Sequence, residues 1–407
     1  MAIPWTTASV ADCLTPVPAA GKTKLQARDY KHAGRFPVVD QGQERIAGWT
    51  DDESAVISEP LPLIVFGDHT RTFKFIDQPF ARGADGTQLL KPKRGIDPLF
   101  FFYACKAIDL PARGYNRHFT ILKEQGLSYP GEAEQQAVGS VLRRVDSALE
   151  HHTELIGITQ ALKRAATRDL FTRGLRGEPQ KESEIGPIPK SWSISACEGL
   201  AQEITVGVVV KPASYYVTTG IPAFRSLNIR EDRIDASNLV YFSAQDNATV
   251  LSKSKLRTGD VLVVRTGYPG TSCVVPQEFD GANCIDLVVV RPRGDRLIGR
   301  FLSRFLNSDQ GKSQALANSH GLAQKHLNVG AVRQLKVPVP PIVDEQLEIV
   351  TILDAIDRKI DLYQRKRAVL VKLFKALLHK LMTGEIAVDQ LDLSALERAP
   401  APDGAHA

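Results

Sequence analysis

Two segments of the chain, 211 residues apart, repeat the same pattern of a proline, an acidic turn and a long run of aliphatic residues. Residues 340–357 read PPIVDEQLEIVTILDAID, and residues 130–146 read PGEAEQQAVGSVLRRVD. A register held through nearly forty residues indicates an internal duplication. The identical residues that a gapless shift superimposes are Pro130/Pro341, Glu134/Glu345, Gln135/Gln346, Leu142/Leu353, Asp146/Asp357, Leu170/Leu381 and Thr172/Thr383.

Aliphatic side chains in both copies recur at alternating steps of four and three residues. A sustained seam of this kind predicts a long helix packed against another helix. We therefore predict one spacer helix over 131–175 and a second over 341–384. Because a folded domain separates them, they can pair with each other as an antiparallel coiled coil. The seam residues are Val138, Leu142, Val145 and Leu149 in the first copy and Ile349, Leu353, Ile356 and Ile360 in the second.

The segments before the two helices, 1–130 and 187–340, resemble each other more loosely. Each has an apolar strand that runs into a loop with basic and hydroxyl residues, and each has a basic residue followed by histidine shortly before the helix. We predict an α/β (α+β) fold: two similar mixed α/β domains, separated by the two helices, with an internal pseudo-two-fold repeat. Residues 176–186 are polar and predict a linker, and 385–407 predict a disordered tail.

Composition and charge limit the possible functions. No run of about 18 apolar residues occurs, so we expect no membrane span, and the first ten residues lack the features of a signal peptide. The five cysteines form no CxxC pair, which favours a reduced, cytoplasmic protein without a metal site. Residues 187–340 carry 18 Lys and Arg against 12 Asp and Glu, which suits a polyanionic partner.

No catalytic motif stands out in the sequence. The fragments AGKT and GKS lack the glycine that a phosphate-binding loop requires five residues earlier, where Pro16 and Leu306 stand. The Asn-Pro-Pro-aromatic tetrad of adenine methyltransferases and a glycine-rich cofactor loop are both missing. We therefore expect no catalysis, no cofactor and no metal in this chain.

The whole chain resembles the specificity subunit of type I restriction–modification systems. The two helix-opening segments quoted above, LRTGDVLVVRTGYPGTS at 256–272 and GLAQKHLN at 321–328, carry this resemblance. It implies that each domain is a target-recognition domain that reads one half of a split, asymmetric sequence in double-stranded DNA. It also implies two adenine-N6 methyltransferase subunits and restriction/translocase subunits as partners, which would bind S-adenosylmethionine, ATP and Mg. Changing the length of the helices should then change the spacer between the half-sites and leave the half-sites themselves unchanged.

Loop residues with side chains suited to phosphates or base edges are the candidate DNA contacts. Solvated surface charges resemble such residues, so we expect about half of them to miss the DNA. The candidates in the first domain are Lys22, Lys24, Arg28, Tyr30, His69, Thr70, Arg71, Lys74, Arg113, Tyr115, Asn116, Arg117 and His118. The candidates in the second domain are Arg225, Asn228, Arg230, Arg265, Thr266, Tyr268, Gln324, Lys325 and His326.

Two other functions fit parts of the pattern. A stand-alone DNA-binding regulator with two reading heads would bind its site tightly without a methyltransferase. A coiled-coil scaffold whose domains bind protein would show no salt-dependent DNA binding. The duplication of the whole chain, together with the GDVL…TGYPG segment, favours the specificity subunit.

Overall fold

The computed structural model describes residues 5–18, 22–84, 86–111, 117–319 and 326–392. The chain forms two compact units, Met1–Glu154 with Gln364–Ala407, and Leu155–Tyr363. Each unit holds one domain and one part of each long helix. Among the described residues, no helix has the length and apolar character needed to cross a membrane.

The first domain is a mixed α/β fold of short elements. Its elements, with the long helix that follows, are β1 (Thr6–Ser9), β2 (Phe36–Val39), β3 (Gly48–Thr50), β4 (Val56–Ile57), β5 (Leu63–Gly67), β6 (Phe73–Ile76), β7 (Phe80–Arg82), β8 (Thr87–Leu90), α1 (Pro98–Ala107), α2 (Phe119–Glu124), β9 (Gly126–Tyr129) and α3 (Glu132–Arg173). The sheets have the orders β3-β2-β7-β4 and β6-β5-β8, and β1 pairs with β9. Helix α1 begins after Asp97, whose carboxylate accepts the backbone N–H of Phe100 at 2.8 Å.

The second domain has more strands. Its elements, with the second long helix, are β10 (Gln180–Lys181), β11 (Ile188–Pro189), β12 (Ser193–Ala196), α4 (Cys197–Leu200), β13 (Ala201–Val206), β14 (Tyr216–Val217), β15 (Ile221–Phe224), β16 (Ile229–Arg230), β17 (Arg233–Ile234), β18 (Val240–Phe242), α5 (Ala244–Ala248), β19 (Val261–Val264), β20 (Ser272–Val274), β21 (Asn283–Cys284), β22 (Leu287–Pro292), α6 (Gly299–Leu306), α7 (Asp309–Ala317), α8 (Val329–Gln334), β23 (Lys336–Val339) and α9 (Val343–Met382). Its main sheets have the orders β13-β22-β19-β20 and β14-β18-β15-β21.

The two domains share one arrangement of strands. Strand β1 pairs with β9 antiparallel in the first, as β12 pairs with β23 in the second. The parallel pair β2–β7 corresponds to β15–β21. The hairpin β5–β6, extended by β8, corresponds to the hairpin β19–β20, extended by β22. The internal repeat that the sequence predicts is therefore visible in the folded domains as well as in the helices.

The long helices pair antiparallel within each unit. In the first unit the beginning of α3 packs on the end of α9, where Val138, Leu142 and Val145 share a buried cluster with Phe374 and Leu377. In the second unit the beginning of α9 packs on the end of α3. There, Ile349, Leu353 and the half-buried Ile356 contact a cluster that contains Phe171, with Ala166 and Leu170 beside it. Leu149 is half-buried against the first cluster, and Ile360 is half-buried.

A buried glutamine attaches the second domain to its long helix. Gln346 is fully buried near the beginning of α9. Its side-chain oxygen accepts the backbone N–H of Ile298 at 2.9 Å, and its amide nitrogen donates to the carbonyl of Arg296 at 2.8 Å. Since Ile298 is the residue before α6, one side chain satisfies two backbone groups at the beginning of that helix.

The repeat equivalent, Gln135, does the same in the first domain. Its side-chain oxygen accepts the backbone N–H of Asp97 at 2.8 Å, and its amide nitrogen donates to the carbonyl of Gly95 at 3.2 Å. Asp97 is the residue before α1, so the two glutamines hold corresponding helices in the same way. The identity of Gln135 and Gln346 in the duplicated sequence thus reflects a shared packing role.

Charged groups add a second attachment. Arg304 of α6 is buried, and its guanidinium contacts Asp232 at 2.6 Å, Asp354 at 2.7 Å and Asp357 at 2.5 Å. Lys163 of α3 lies 2.8 Å from Asp357. Arg304 therefore connects α6 both to the turn between β16 and β17, which carries Asp232, and to α9, which carries Asp354 and Asp357.

We predict that Gln346→Ala lowers the free energy of unfolding of the second unit by about 1 kcal/mol, because it removes two hydrogen bonds from a buried side chain to partly buried backbone groups. Thermal and urea unfolding of the full chain measure the effect. Gln202→Ala is the control, since Gln202 is exposed on β13. Equal stability of the two variants would contradict this role for Gln346.

Candidate nucleic-acid interface

Two of the predicted loops come together in each domain. In the second domain the loop of the β19–β20 hairpin forms an antiparallel bridge between Thr266 and His326. In the first domain the loop of the β5–β6 hairpin meets the segment before α2, where the backbone N–H of His118 donates to the carbonyl of Asp68 at 3.1 Å. The pairing of a hairpin loop with a histidine segment is therefore a shared feature of the two domains.

Arg265 is the centre of the cluster in the second domain. Its guanidinium donates to the carboxylate of Asp286 at 2.5 Å and to Nε2 of His326 at 2.7 Å. Thr266 Oγ1 lies 2.9 Å from Nδ1 of the same ring. Because a guanidinium only donates, Nε2 accepts, and a neutral His326 then carries its proton on Nδ1 and donates to Thr266. The Arg265 side chain is 12% exposed, so this network fixes its orientation and braces the hairpin loop.

Tyr268 stands at the tip of the same loop with 82% of its surface exposed. Gly267 and Gly270 flank the tip with φ of +95° and +89°, which glycine adopts without strain. The backbone N–H of Gly270 donates to the carbonyl of Val264 at 3.0 Å, which closes the turn. An aromatic ring held on a closed turn can stack against a nucleic-acid base at little entropic cost.

Asp40 and Gln41, which follow β2, organise the candidates of the first domain. The backbone carbonyl of Gln41 accepts the hydroxyl of Thr70 at 2.5 Å, and its side-chain oxygen accepts the N–H of His69 at 3.3 Å. Lys74 Nζ lies 3.6 Å from the Asp40 carboxylate, and its side chain is 5% exposed. Burial lowers the pKa of Lys74, and the Asp40 carboxylate opposes this. Lys74 therefore supports the loop from inside.

Tyr30 and His118 also lie largely inside the first domain. The Tyr30 hydroxyl accepts the N–H of Ala84 at 3.2 Å, and burial raises the pKa of Tyr30. His118 is 1% exposed, with Nδ1 2.9 Å from the carbonyl of Asp68. Both side chains shape the loops, and neither presents a large exposed surface.

The predicted cations differ in their exposure and in whether they form hydrogen bonds or ion pairs within the protein. Arg71 has a left-handed backbone with φ of +60°, is exposed, and donates to the carbonyl of Leu110 at 2.6 Å. Arg230 is exposed and lies 3.4 Å from the Asp235 carboxylate. The other exposed cations among the predicted residues are Lys22, Lys24, Arg28 and Arg117.

Asn228, a candidate DNA contact whose amide suits an adenine edge, is fully buried. Its amide nitrogen donates to the carbonyls of Asp235 and Ser237, both at 3.0 Å, and its oxygen accepts the N–H of Arg225 at 3.0 Å. The side chain therefore holds the turn after β15. Arg225 itself is half-buried and donates to the carbonyl of Asn238 at 2.6 Å.

Five predicted residues cannot be placed, and two residues that organise the clusters were not predicted. Arg113, Tyr115, Asn116, Gln324 and Lys325 lie outside the described residues. Asp286 and Gln41, which organise the two clusters, have no signal in the sequence, because a carboxylate or a neutral amide is not selected as a phosphate ligand. Among the described residues, no cluster of three or more His, Cys, Asp or Glu side chains could hold a metal ion.

The chain is similar to known DNA specificity proteins. Residues 210–372 match the type I restriction modification DNA specificity domain. The MjaVIII type I restriction enzyme specificity subunit of Methanocaldococcus jannaschii is 22% identical over 73% of this chain and 72% of its own length. The EcoBI specificity subunit of Escherichia coli is 25% identical over 56% of this chain and 51% of its own length.

The fold is also that of a solved specificity subunit. The crystal structure of the type I restriction–modification S subunit from M. genitalium superimposes with a TM-score of 0.62 and 18% identity, covering 93% of this chain and 96% of the other. The mixed α/β fold with an antiparallel coiled coil is therefore confirmed. The resemblance to type I specificity subunits that the sequence predicts is confirmed as well, by a family domain and by relatives that align with most of the chain.

We predict that Gly270→Ala destabilises the second unit more than Gly267→Ala does. Both positions have positive φ, but a Cβ on Gly270 would lie 2.5 Å from Cβ of Ala315, whereas a Cβ on Gly267 meets open space. Melting temperatures of the two variants test the order, with Gly294→Ala as the control because its Cβ also meets open space and its φ is ordinary. The reverse order would show that the turn is not packed as described.

Proposed function

We propose that this chain is the DNA sequence-recognition subunit of a type I restriction–modification complex and is itself not catalytic. The observation that carries the proposal is the duplicated pairing of a hairpin loop with a histidine segment, one in each domain, in a chain with a DNA specificity domain over residues 210–372. Each pairing offers hydrogen-bonding groups and at least one exposed cation or aromatic ring. These are the groups that contact phosphates and base edges.

The antiparallel helices explain why the target would be split. A chain whose two copies of one helix run in opposite directions has the same kind of two-fold relation as the backbones of a DNA duplex. Each domain would read one half-site, and because the two domains differ in sequence, the half-sites would differ too. The helices would set the number of base pairs between them.

The chain would act through partners. It would bind two adenine-N6 methyltransferase subunits, which would supply S-adenosylmethionine, and restriction/translocase subunits, which would supply ATP and Mg. The complex would work in the cytoplasm, where the buried free cysteines stay reduced.

Sequencing of adenine methylation in the host genome, with and without the gene, tests the proposal. A split motif that loses N6-methyladenine on deletion, and regains it on complementation, is the expected result. A purified chain that binds one DNA site tightly without a methyltransferase, in a host whose methylation does not change, would instead identify a stand-alone regulator.

We predict that Arg265→Ala weakens DNA binding by the assembled complex and that Lys190→Ala does not. Loss of Arg265 removes a cation and releases both Asp286 and His326. Lys190, an exposed cation of the same domain, lies in the β11–β12 connection and is not one of the candidate DNA contacts. Fluorescence anisotropy at physiological salt, with a duplex that carries the methylated motif, measures both. Equal affinities would exclude Arg265 from the interface.

A further inference from the structure

A third loop of the second domain, which contains none of the candidate DNA contacts, is attached to the same cluster. It connects β13 to β14 and carries Val209, Val210 and Lys211. Val209 is 50% exposed and Val210 is 77% exposed. Lys211 is exposed and has a left-handed backbone with φ of +45°. A long non-glycine side chain in this region is strained, and such strain concentrates at functional sites.

The base of the loop is fixed to the segment that holds Arg265. The backbone N–H of Val208 donates to the carbonyl of Cys284 at 2.8 Å, and the N–H of Asp286 donates to the carbonyl of Val208 at 3.2 Å. The side chain of that same Asp286 holds Arg265. One residue therefore connects the β13–β14 loop, the Arg265 guanidinium and, through it, His326.

Through the internal repeat, this loop is structurally equivalent to a segment of the first domain that contains predicted DNA contacts. Leu25 N–H donates to the carbonyl of Arg82, the last residue of β7, at 3.0 Å, as Val208 N–H donates to Cys284, the last residue of β21. Both contacts belong to parallel bridges, Leu25 with Gly83 and Val208 with Ile285.

The chain then continues in the same way in both domains. A short 3-10 helix follows, Ala27–Asp29 in the first and Pro212–Tyr215 in the second, and a tyrosine comes next, Tyr30 or Tyr216. In the first domain Lys22 and Lys24 lie just before the bridge residue Leu25, and Arg28 lies in the 3-10 helix after it. In the second domain two exposed valines and one lysine lie between the bridge residue Val208 and the 3-10 helix.

We propose that Val209, Val210 and Lys211 form a DNA-contacting loop of the second domain, with Lys211 on a backbone phosphate and the valine side chains against the groove. This rests on the proposed function of the chain. Duplex DNA is the occupant that the charges favour. The loop carries an exposed cation, its base is hydrogen-bonded to Asp286, which pairs with Arg265, and the domain has excess positive charge. The valine methyl groups suit apolar contact with thymine methyl groups, which is a form of base recognition.

Lys211→Gly separates a DNA contact from a structural role. Glycine adopts positive φ without strain, so the variant should fold at least as stably as the natural chain while it loses the charge. In the assembled complex we expect the slope of log K against log[salt] to fall by about 0.9, the value for one phosphate contact. The probe is a duplex that carries the motif read from the host methylome, and Lys253→Ala, which removes an exposed lysine elsewhere in the domain, is the control.

Val210→Asp tests the apolar part. A carboxylate facing DNA should weaken binding by roughly tenfold or more through like-charge repulsion. Val250→Asp is its control, because Val250 is 65% exposed in the same domain but lies after α5. Methylation of genomic sites in a strain complemented with each variant gives an independent readout.

The outcomes are distinct. Three results would overturn the inference, provided that the natural complex still binds its motif. They are an unchanged salt slope for Lys211→Gly, equal losses of affinity for the two aspartate variants, and release of the methyltransferase subunits by Val210→Asp. If the natural complex itself binds no specific DNA and methylates no split motif, the proposed function fails instead.

Discussion

The attachment of each domain to its long helix depends on one buried glutamine. Gln135 and Gln346 each satisfy one N–H and one carbonyl at the beginning of a domain helix, α1 or α6, inside a surrounding apolar cluster. A buried amide that bridges two backbone groups has only one productive orientation, so it determines where the domain helix begins relative to the long helix. The apolar seams supply most of the burial but are less selective, because aliphatic side chains tolerate small shifts. The glutamines therefore give the packing its register.

The two domains share this attachment and differ beyond it. The repeat equivalents Asp146 and Asp357 both face the domain helix, yet Asp146 meets the hydroxyl of Tyr103 at 3.2 Å, whereas Asp357 meets the guanidinium of Arg304. The position at which the long helix contacts the domain helix is therefore shared, although the side chains there differ. The outer loops take no part in this contact and can vary between the domains. The loops differ accordingly: the first domain places Gln41 behind its hairpin loop, and the second places Asp286 there. Such a division suits a protein that must keep its assembly constant while its two reading surfaces diverge.

The helices and the duplication could be predicted from the sequence because they follow regular spacing. Val138, Leu142, Ile349 and Leu353 are buried as the heptad pattern indicates, since one stripe of a long helix must be covered. The loops follow no such rule. Asn228 has the chemistry of an adenine reader, but the same amide is equally suited to hold a turn, and only the fold shows that the turn takes it. Lys74 is a similar case: in β6 it shares a face with the buried Ile76, whereas Phe73 and Phe75 occupy the other face, so the alternation of residue types does not predict its burial.

The β13–β14 loop could not be predicted as a DNA contact from its own residues, but its equivalence to a segment of the first domain indicates that role. None of the candidate DNA contacts falls in the segment VGVVVKPASYY, in which Lys211 is the one charged residue. Valines in a strand are ordinarily buried, whereas Val209 and Val210 are exposed at the tip of a loop whose base is held by hydrogen bonds. Keeping apolar side chains in water has a free-energy cost, and a partner that covers them removes that cost. The repeat adds the position: the corresponding segment of the first domain is basic and lies at the same parallel bridge. We therefore expect the β13–β14 loop to contact DNA because of its equivalent position in the repeat, and not because of its residue types alone.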